Sequence, residues 1–267
     1  MTSKSKYPPI GELINLSGKK AIVTGGAMGI GFSIAYRLAE AGAAVCIIDL
    51  NEEKGGRAAL ELANFGYQAF FLCCDVSQEE EVKNAVNVAI TRLAGINILV
   101  NNAGIFPFTP LLQVTSADID KVLAVNLKGL LYFSREVGRW MVEKKTGGCI
   151  INLASIDALH PSHRGLSLYD ASKGAVLTVT KSLAKELGPE GIRVNAIAPG
   201  GILTEGALSQ KGEQNTRTGL KEFMSRITLG RMGTPDDIGR VALFLASDLS
   251  GYMTGSLLTV DGGYLLS

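Results

Sequence analysis

The sequence lacks a predominant sign of charge, cysteine pairs at metal-binding spacings and any long apolar run. Its 267 residues include 26 basic and 25 acidic side chains, for a net charge of +1. No block of like charges occurs, so we expect neither nucleic acid nor a membrane surface as a partner. No run of about 18 apolar residues is present, and residues 1–17 lack the apolar core of a signal peptide. These absences predict a cytoplasmic protein whose partner is a small molecule.

Cysteine is scarce, and its placement argues against disulfide bonds and against a metal site. The sequence has four cysteines without a CxxC pair, and each stands in an apolar, strand-like run. They are Cys46, Cys73, Cys74 and Cys149. We therefore predict buried, reduced thiols and no metal site.

Short β-branched runs alternate with helical patterns along the whole chain. The predicted strands are 20–24, 44–49, 68–74, 98–101, 149–153, 192–198 and 257–260. This alternation implies βαβ units and a parallel sheet covered on both sides. We predict an α/β fold, in which a single-domain Rossmann-like doubly wound parallel sheet of six to seven strands has helices on both faces. The domain is expected to span residues 16–267, after a polar N-terminal tail of residues 1–15.

Three local signals predict where helices begin or bend. Ser77 and Glu80 have the spacing of a capping box, which would start one helix. Thr234 followed by Pro235 predicts a capped start of the last long helix. The helical stretch after Ser116 is expected to break or kink near 126–129.

A glycine-rich turn joins the first strand to the first helix. Its glycines, Gly25, Gly29 and Gly31, allow a sharp turn and close approach of a pyrophosphate to the free N–H groups of the helix. Asp49 ends the next strand, eighteen residues beyond Gly31, where a carboxylate can bind the adenosine ribose hydroxyls. The turn therefore predicts a dinucleotide site.

The same region bears on the choice between NAD and NADP. A carboxylate at Asp49 would repel a 2′-phosphate, and the nearby positions where a basic residue could bind that phosphate hold Met28 and Leu50. We predict NAD, with NADP less favoured. Asp75 ends the third strand and is a candidate acceptor for adenine, with a helix cap as the alternative.

Tyr169 and Lys173 stand four residues apart at the start of an apolar helical pattern. Residues at this spacing share a helix face, so the phenol and the ammonium can occupy one volume. Lowering a tyrosine pKa from about 10 to roughly 7 needs about 4 kcal/mol. A neighbouring charge supplies that much only where water is partly excluded. The pair predicts an acid/base beneath a bound cofactor.

These motifs together carry a family resemblance. They are Thr24-Gly25-x-x-x-Gly29-Ile30-Gly31, Asn101-Asn102-Ala103-Gly104, Asn126, Ser155, Tyr169-x-x-x-Lys173 and Pro199-Gly200-x-x-x-Thr204. In order and separation they resemble the short-chain dehydrogenase/reductase family, from about Leu16 to Tyr264. The resemblance implies a Rossmann-like domain, commonly in a homotetramer, that transfers hydride between a nicotinamide and a carbonyl carbon.

The resemblance also implies roles for four residues. Tyr169 would be the acid/base, Ser155 would hydrogen-bond the carbonyl oxygen, and Lys173 would bind the nicotinamide ribose and lower the pKa of Tyr169. Asn126 would hold a water that passes protons to solvent; a satisfied core amide is the alternative reading.

The cofactor-binding residues predicted from the turn and from the resemblance form one set. It comprises Gly25, Met28, Gly29, Ile30, Gly31, Asp49, Leu50, Asp75, Val76, Asn102, Ala103, Gly104, Tyr169, Lys173, Pro199, Gly200, Ile202 and Thr204.

One loop departs from the family pattern. Ser155 and Tyr169 are fourteen residues apart, whereas family members most often have about thirteen. The loop between them holds both histidines, His160 and His163, and also Arg164. We hypothesise that His163 or Arg164 meets a polar or anionic group of the substrate; solvated loop charges are the alternative.

The segment 201–228 is polar and rich in glycine, which is typical of a lid over cofactor and substrate.

The function predicted is an NAD(H)-dependent oxidoreductase for a secondary alcohol or ketone of sugar, polyol or hydroxyacyl type. A 3-oxoacyl-thioester reductase and a non-catalytic nicotinamide sensor or scaffold remain alternatives.

Overall fold

The seven apolar runs form the strands of one parallel sheet. The structure is a computed structural model that describes residues 7–206 and 217–267. Strands β1 to β7 are Lys20–Thr24, Ala44–Asp49, Ala69–Cys73, Ile98–Asn101, Gly148–Leu153, Ile192–Pro199 and Leu257–Val260. Their spatial order is β3-β2-β1-β4-β5-β6-β7, with every neighbouring pair parallel. The predicted fold class is confirmed.

Helices connect the strands and cover both faces of the sheet. Helices α1 to α9 of the described residues are Ile10–Ile14, Gly29–Glu40, Glu52–Asn64, Glu79–Leu93, Ser116–Leu123, Gly129–Lys144, Ser167–Leu187, Arg217–Ser225 and Pro235–Ala246. One apolar layer joins the sheet to α2, α3 and α9. A second joins it to α4, α6 and α7 on the opposite face. Central strands are therefore apolar on both sides, which explains their continuous β-branched runs.

The local helix signals were right in two cases and wrong in one. Thr234 forms a capping box with Asp237 at the start of α9, with Pro235 in the first turn. The predicted break is a π-helical turn at Ala124–Lys128, between α5 and α6. The Ser77 capping box is wrong, because α4 begins at Glu79 and the Ser77 N–H donates to the side chain of Asp75.

The thiol prediction needs one correction. All four cysteines are free, and Cys46, Cys74 and Cys149 are buried, but Cys73 is exposed. Cys73 is the last residue of β3, the edge strand of the sheet, where one side of the strand has no neighbour. Within the described ranges, every helix is too short or too polar to cross a membrane.

Two predicted segments extend beyond the described residues. Residues 1–6 of the predicted tail and 207–216 of the predicted lid lie outside them. Within the rest of the tail, Ile10–Ile14 forms the short helix α1. Within the rest of the lid, Arg217–Ser225 forms α8. The boundaries 1–15, 16–267 and 201–228 stay predictions.

Candidate active site

A cavity of about 880 Å³ opens at the carboxyl ends of the strands. This is the edge where open parallel sheets bind ligands. Every predicted cofactor-binding residue lines the cavity, from Gly25 on the first turn to Thr204 after β6, and so does Ser155. Asn126 is the predicted catalytic residue that does not line it. The sheet therefore brings residues that are distant in sequence to one enclosed space.

The glycine-rich turn leaves a helix terminus open to this cavity. Gly25 and Gly29 have φ angles of +62° and +56°, which favour glycine. A Cβ on Gly25 would lie 2.8 Å from the Cα of Ala103. Helix α2 begins at Gly29, and the side chain of its N-cap, Met28, makes no capping hydrogen bond. The first N–H groups of α2 have no partner within a helix, and the terminus fits the pyrophosphate of a dinucleotide.

Asp49 and Asp75 line the part of the cavity where the sequence predicts adenosine to bind. The Asp49 Oδ2 accepts a hydrogen bond from the Ala27 N–H at 3.1 Å, and its Oδ1 accepts one from the Asn51 N–H at 3.0 Å. These bonds fix the carboxylate beside Leu50, which is 67% exposed. The Asp75 Oδ1 accepts a bond from a backbone N–H two residues on. Asp75 is thus both a turn residue and part of the cavity wall.

Tyr169 and Lys173 meet in the first turns of α7. The Lys173 Nζ lies 5.7 Å from the centroid of the Tyr169 ring. It also donates a hydrogen bond of 2.6 Å to the carbonyl oxygen of Leu153, the last residue of β5. Lys173 is buried, and this burial lowers the pKa of its ammonium to about 8. The strand end therefore anchors the lysine beneath the tyrosine ring.

The pKa of Tyr169 is raised in the protein alone, and the lowering expected beneath a bound cofactor stays a prediction. Burial raises the pKa of the phenol above its ordinary value, while a hydrogen bond with Ser155 acts to lower it. The nearby carboxylates of Asp157 and Asp170 raise it further. In the protein alone, burial thus outweighs any lowering by Lys173, and the phenol is held in its protonated form.

Ser155 is paired with an acid that the sequence reasoning missed. The Ser155 Oγ donates a 2.8 Å hydrogen bond to the Asp157 Oδ2 and accepts one of 3.1 Å from the Asp157 N–H. The other carboxylate oxygen of Asp157 accepts a bond from the Ser162 N–H at 2.9 Å. An acid two residues after Ser155 was the available sequence signal.

Asn126 lies in the π-helical turn, and its amide is engaged within the protein. Its Nδ2 donates to the carbonyl oxygen of Ile105 and to the Oγ of Ser172, each at 2.9 Å. Its Oδ1 accepts from the Ile105 N–H at 2.8 Å. Asn126 therefore ties the loop after β4 to α7. The water that it was expected to hold stays a prediction.

The three basic residues of the loop between Ser155 and Tyr169 have different surroundings. His163 lines the cavity, stacks against Phe223 with ring centroids 5.3 Å apart, and has its pKa lowered by burial. His160 lies 3.4 Å from the guanidinium of Arg226. Arg164 is exposed and is not part of the cavity wall. A charged contact with substrate is thus not favoured at His163, which burial keeps neutral at neutral pH.

Known proteins are similar to this chain in sequence and in fold. The short-chain dehydrogenase model that is described as enoyl-(acyl carrier protein) reductase matches residues 25–265. The chain is 44% identical over 250 residues to the 3-oxoacyl-[acyl-carrier-protein] reductase FabG of Chlamydia pneumoniae, covering 94% of this chain and 98% of that one. This chain belongs to the short-chain dehydrogenase/reductase family. It is an oxidoreductase acting on alcohol and ketone groups, in a family that binds nicotinamide cofactors.

Solved structures of short-chain dehydrogenases have the same fold. A gluconate 5-dehydrogenase from Burkholderia cenocepacia J2315, in complex with NADP and tartrate, is 34% identical with a TM-score of 0.90, covering 97% of this chain and 100% of that one. A 7α-hydroxysteroid dehydrogenase, complexed with NADH and 7-oxo glycochenodeoxycholic acid, is 33% identical with a TM-score of 0.90, covering 96% and 98%. These similar proteins were solved with different nicotinamides.

Proposed function

We propose that this short-chain dehydrogenase interconverts a secondary alcohol and its ketone with NAD(H), working mainly in the oxidising direction. The observation that carries the proposal is the convergence of Ser155, Tyr169 and Lys173 on the cavity that the glycine-rich turn also lines. Bound oxidised nicotinamide would accept the hydride and add positive charge beside the phenol. Asp49, which suits NAD, favours oxidation because cellular NAD is mostly oxidised.

Tyr169 is the proposed acid/base. As the protonated phenol that burial favours, it donates its proton to a carbonyl oxygen during reduction. In oxidation it takes the hydroxyl proton, and the Lys173 ammonium beneath its ring stabilises the phenolate that this requires. Lys173 keeps its position through the bond to the Leu153 carbonyl. Ser155 would hold the substrate oxygen by turning its hydroxyl proton toward it from Asp157, the group to which that proton is donated in the protein alone.

The activity test is a panel of secondary alcohols with NAD, followed by the absorbance of reduced nicotinamide. We expect turnover by the parent protein, and a loss of about 10²-fold or more in Tyr169→Phe at unchanged stability. An equally fast Tyr169→Phe would contradict the proposed mechanism.

The reductase alternative is supported by the 44% identity to a 3-oxoacyl-carrier-protein reductase. Acyl thioesters with NADH belong in the same panel for this reason. If 3-oxoacyl thioesters are reduced far more efficiently than any alcohol is oxidised, the alternative replaces the main proposal. The non-catalytic sensor predicts cofactor binding without turnover of any member of the panel.

The preference for NAD is supported by the charges around Asp49. Its carboxylate would repel a 2′-phosphate, and the nearby Lys54 is paired with Glu205 at 3.2 Å. We expect fluorescence titrations to show tighter binding of NADH than NADPH. Asp49→Ser combined with Leu50→Arg should reverse the preference, while Asp49→Asn should only weaken it. Tight NADPH binding by the parent protein would contradict this part of the proposal.

The finer assignments of assembly, lid and compartment are part of the same proposal. Ile119 and Leu131 expose apolar side chains on α5 and α6, which supports a helix-paired homotetramer. A mass of one chain, 28.2 kDa, in light scattering would contradict this assembly.

Phe223 on α8 and Thr204 line the cavity, which supports 201–228 as a lid. Four free thiols suit a reducing cytoplasm, and cell fractionation tests that location.

A further inference from the structure

The cavity continues past Tyr169 along a series of aromatic side chains. Phe106 lies 6.0 Å from the Tyr169 ring, and Phe108 lies 6.5 Å from Phe106. His163 follows at 6.3 Å from Phe108, and Phe223 at 5.3 Å from His163, all measured between ring centroids. These four residues, Phe106, Phe108, His163 and Phe223, line the cavity and are called the ring wall below. They come from the loop after β4, the loop after β5, and α8.

The ring wall is held in place from behind. A Cβ on Gly201 would lie 2.4 Å from the Phe223 ring and 2.8 Å from Met232. The Phe223 ring also stacks on Tyr264, with ring centroids 4.6 Å apart. Tyr264 is buried and has the guanidinium of Arg226 4.3 Å from its ring centroid. Phe223 is therefore packed between the backbone after β6 and the C-terminal turn.

Three of the four residues of the ring wall are phenylalanines, whose rings offer a substrate no hydrogen-bonding nitrogen or oxygen. Burial lowers the pKa of His163, the fourth residue, so its ring is disfavoured as a cation and its two nitrogens are the polar atoms of the wall. A polyol in this space would exchange water for aromatic carbon at most of its hydroxyls, which is unfavourable. A flat apolar body would instead gain burial and ring contacts.

We propose that the substrate of this oxidoreductase carries its secondary hydroxyl, or the ketone, on or next to a flat apolar ring. This inference rests on the proposed function, because it takes Tyr169 as the site of chemistry. Among secondary alcohols it favours aromatic and alicyclic ones in place of the sugar, polyol and hydroxyacyl types that the sequence predicted. The reacting carbon lies at Tyr169, and the ring extends from there along the ring wall.

The test compares kcat/KM for alcohols that differ in what they place against the ring wall. The panel contains 2-propanol, 1-phenylethanol, a fused-ring alicyclic alcohol, sorbitol and a 3-hydroxyacyl thioester, each with NAD and with NADP. We expect the ring alcohols to exceed sorbitol and the thioester by roughly tenfold or more, as burial of a few carbon atoms in an apolar pocket predicts.

Variants assign the preference to the ring wall. Phe223→Ala and Phe108→Ala, at two separate positions of the ring wall, should each lower kcat/KM for ring alcohols by roughly 10-fold or more, chiefly through KM. Turnover of 2-propanol, which is too small to reach both positions, should change far less. Phe223→Leu should recover part of the loss. Tyr252→Ala, at a fully exposed aromatic residue, is the matched control and should leave every rate unchanged.

The possible results separate the two proposals. Preferred oxidation of sorbitol or of the thioester would overturn the ring inference and leave the oxidoreductase proposal intact. The inference would also be overturned if kcat/KM for ring alcohols falls in neither Phe223→Ala nor Phe108→Ala. A parent protein that binds nicotinamide but converts no member of the panel would overturn the proposed function, and the ring inference with it.

Discussion

Replacing Lys173 with methionine should make the protein more stable while removing its activity. Burial lowers the Lys173 pKa from 10.5 to about 8. At 1.36 kcal/mol per pKa unit, the charged ammonium costs the folded state about 3 kcal/mol near pH 7. Methionine also loses the 2.6 Å hydrogen bond to Leu153, which costs about 1 kcal/mol. We expect a net gain of about 2 kcal/mol in the free energy of unfolding.

The pH dependence of this gain identifies its cause. Between the folded pKa of about 8 and the ordinary value of 10.5, the unfolded chain binds more protons than the folded one. The stability of the parent protein therefore rises with pH across this window relative to that of Lys173→Met. The advantage of the variant should be full below about pH 8. It should disappear or reverse as the pH approaches 10.5.

Urea unfolding followed by fluorescence of Trp140, the only tryptophan in the sequence, measures this difference. Curves at about pH 7 and pH 10, at one protein concentration, suffice for parent and variant. Lys181→Met on the same helix is the control, because Lys181 is exposed and should change stability by less than about 0.5 kcal/mol. A variant that is less stable at pH 7, or a gain that does not change with pH, would refute the reasoning.

Three further perturbations test other parts of the site. Asp157→Asn removes a negative charge that raises the Tyr169 pKa, so the rising limb of oxidation rate against pH should move to lower pH; an unmoved or upward-shifted limb would contradict this. Gly31→Ala would place a Cβ 2.0 Å from a backbone oxygen of the turn and should lower the unfolding free energy by about 2 kcal/mol or more. Gly56→Ala, with open space around the added carbon, should stabilise slightly in thermal melts. Asp170 has a buried oxygen without a hydrogen-bond partner and a pKa raised by burial to about 6. Asp170→Asn should therefore add about 1 kcal/mol at pH 7, and the gain should fade toward pH 4 in urea unfolding.

The sheet and the cofactor end could be predicted because each is encoded locally. Strands β1, β2, β4 and β7 have the predicted bounds, because short, β-branched apolar runs between turn residues are typical of buried parallel strands. The same holds for the glycine-rich turn, where short-range sterics require glycine. Parallel connection then brings the strand ends to one edge without further information. The glycine-rich part of the cavity lining follows from these two facts, whereas the residues after β4 and β6 were predicted from the family resemblance.

The substrate end could not be predicted because it depends on contacts between distant loops. His163 meets Phe223 across 60 residues of sequence, and neither position has a local signal that names the other. Phe106 and Phe108 flank a proline after β4, which marks a loop but not its direction. In the protein alone, burial raises the Tyr169 pKa, and the degree of burial is likewise a property of the assembled cavity.

Lys173 and Asn126 show why some site residues stood out in the sequence nonetheless. Both are polar and buried in helical segments, where an unpaired polar side chain costs stability. Asn126 offsets that cost with three hydrogen bonds to Ile105 and Ser172. Lys173 offsets it only in part, through one carbonyl, and retains a lowered pKa. The stability cost that is not offset therefore lies at Lys173, whose charge the proposed chemistry requires. Packing alone would favour an apolar side chain at this position.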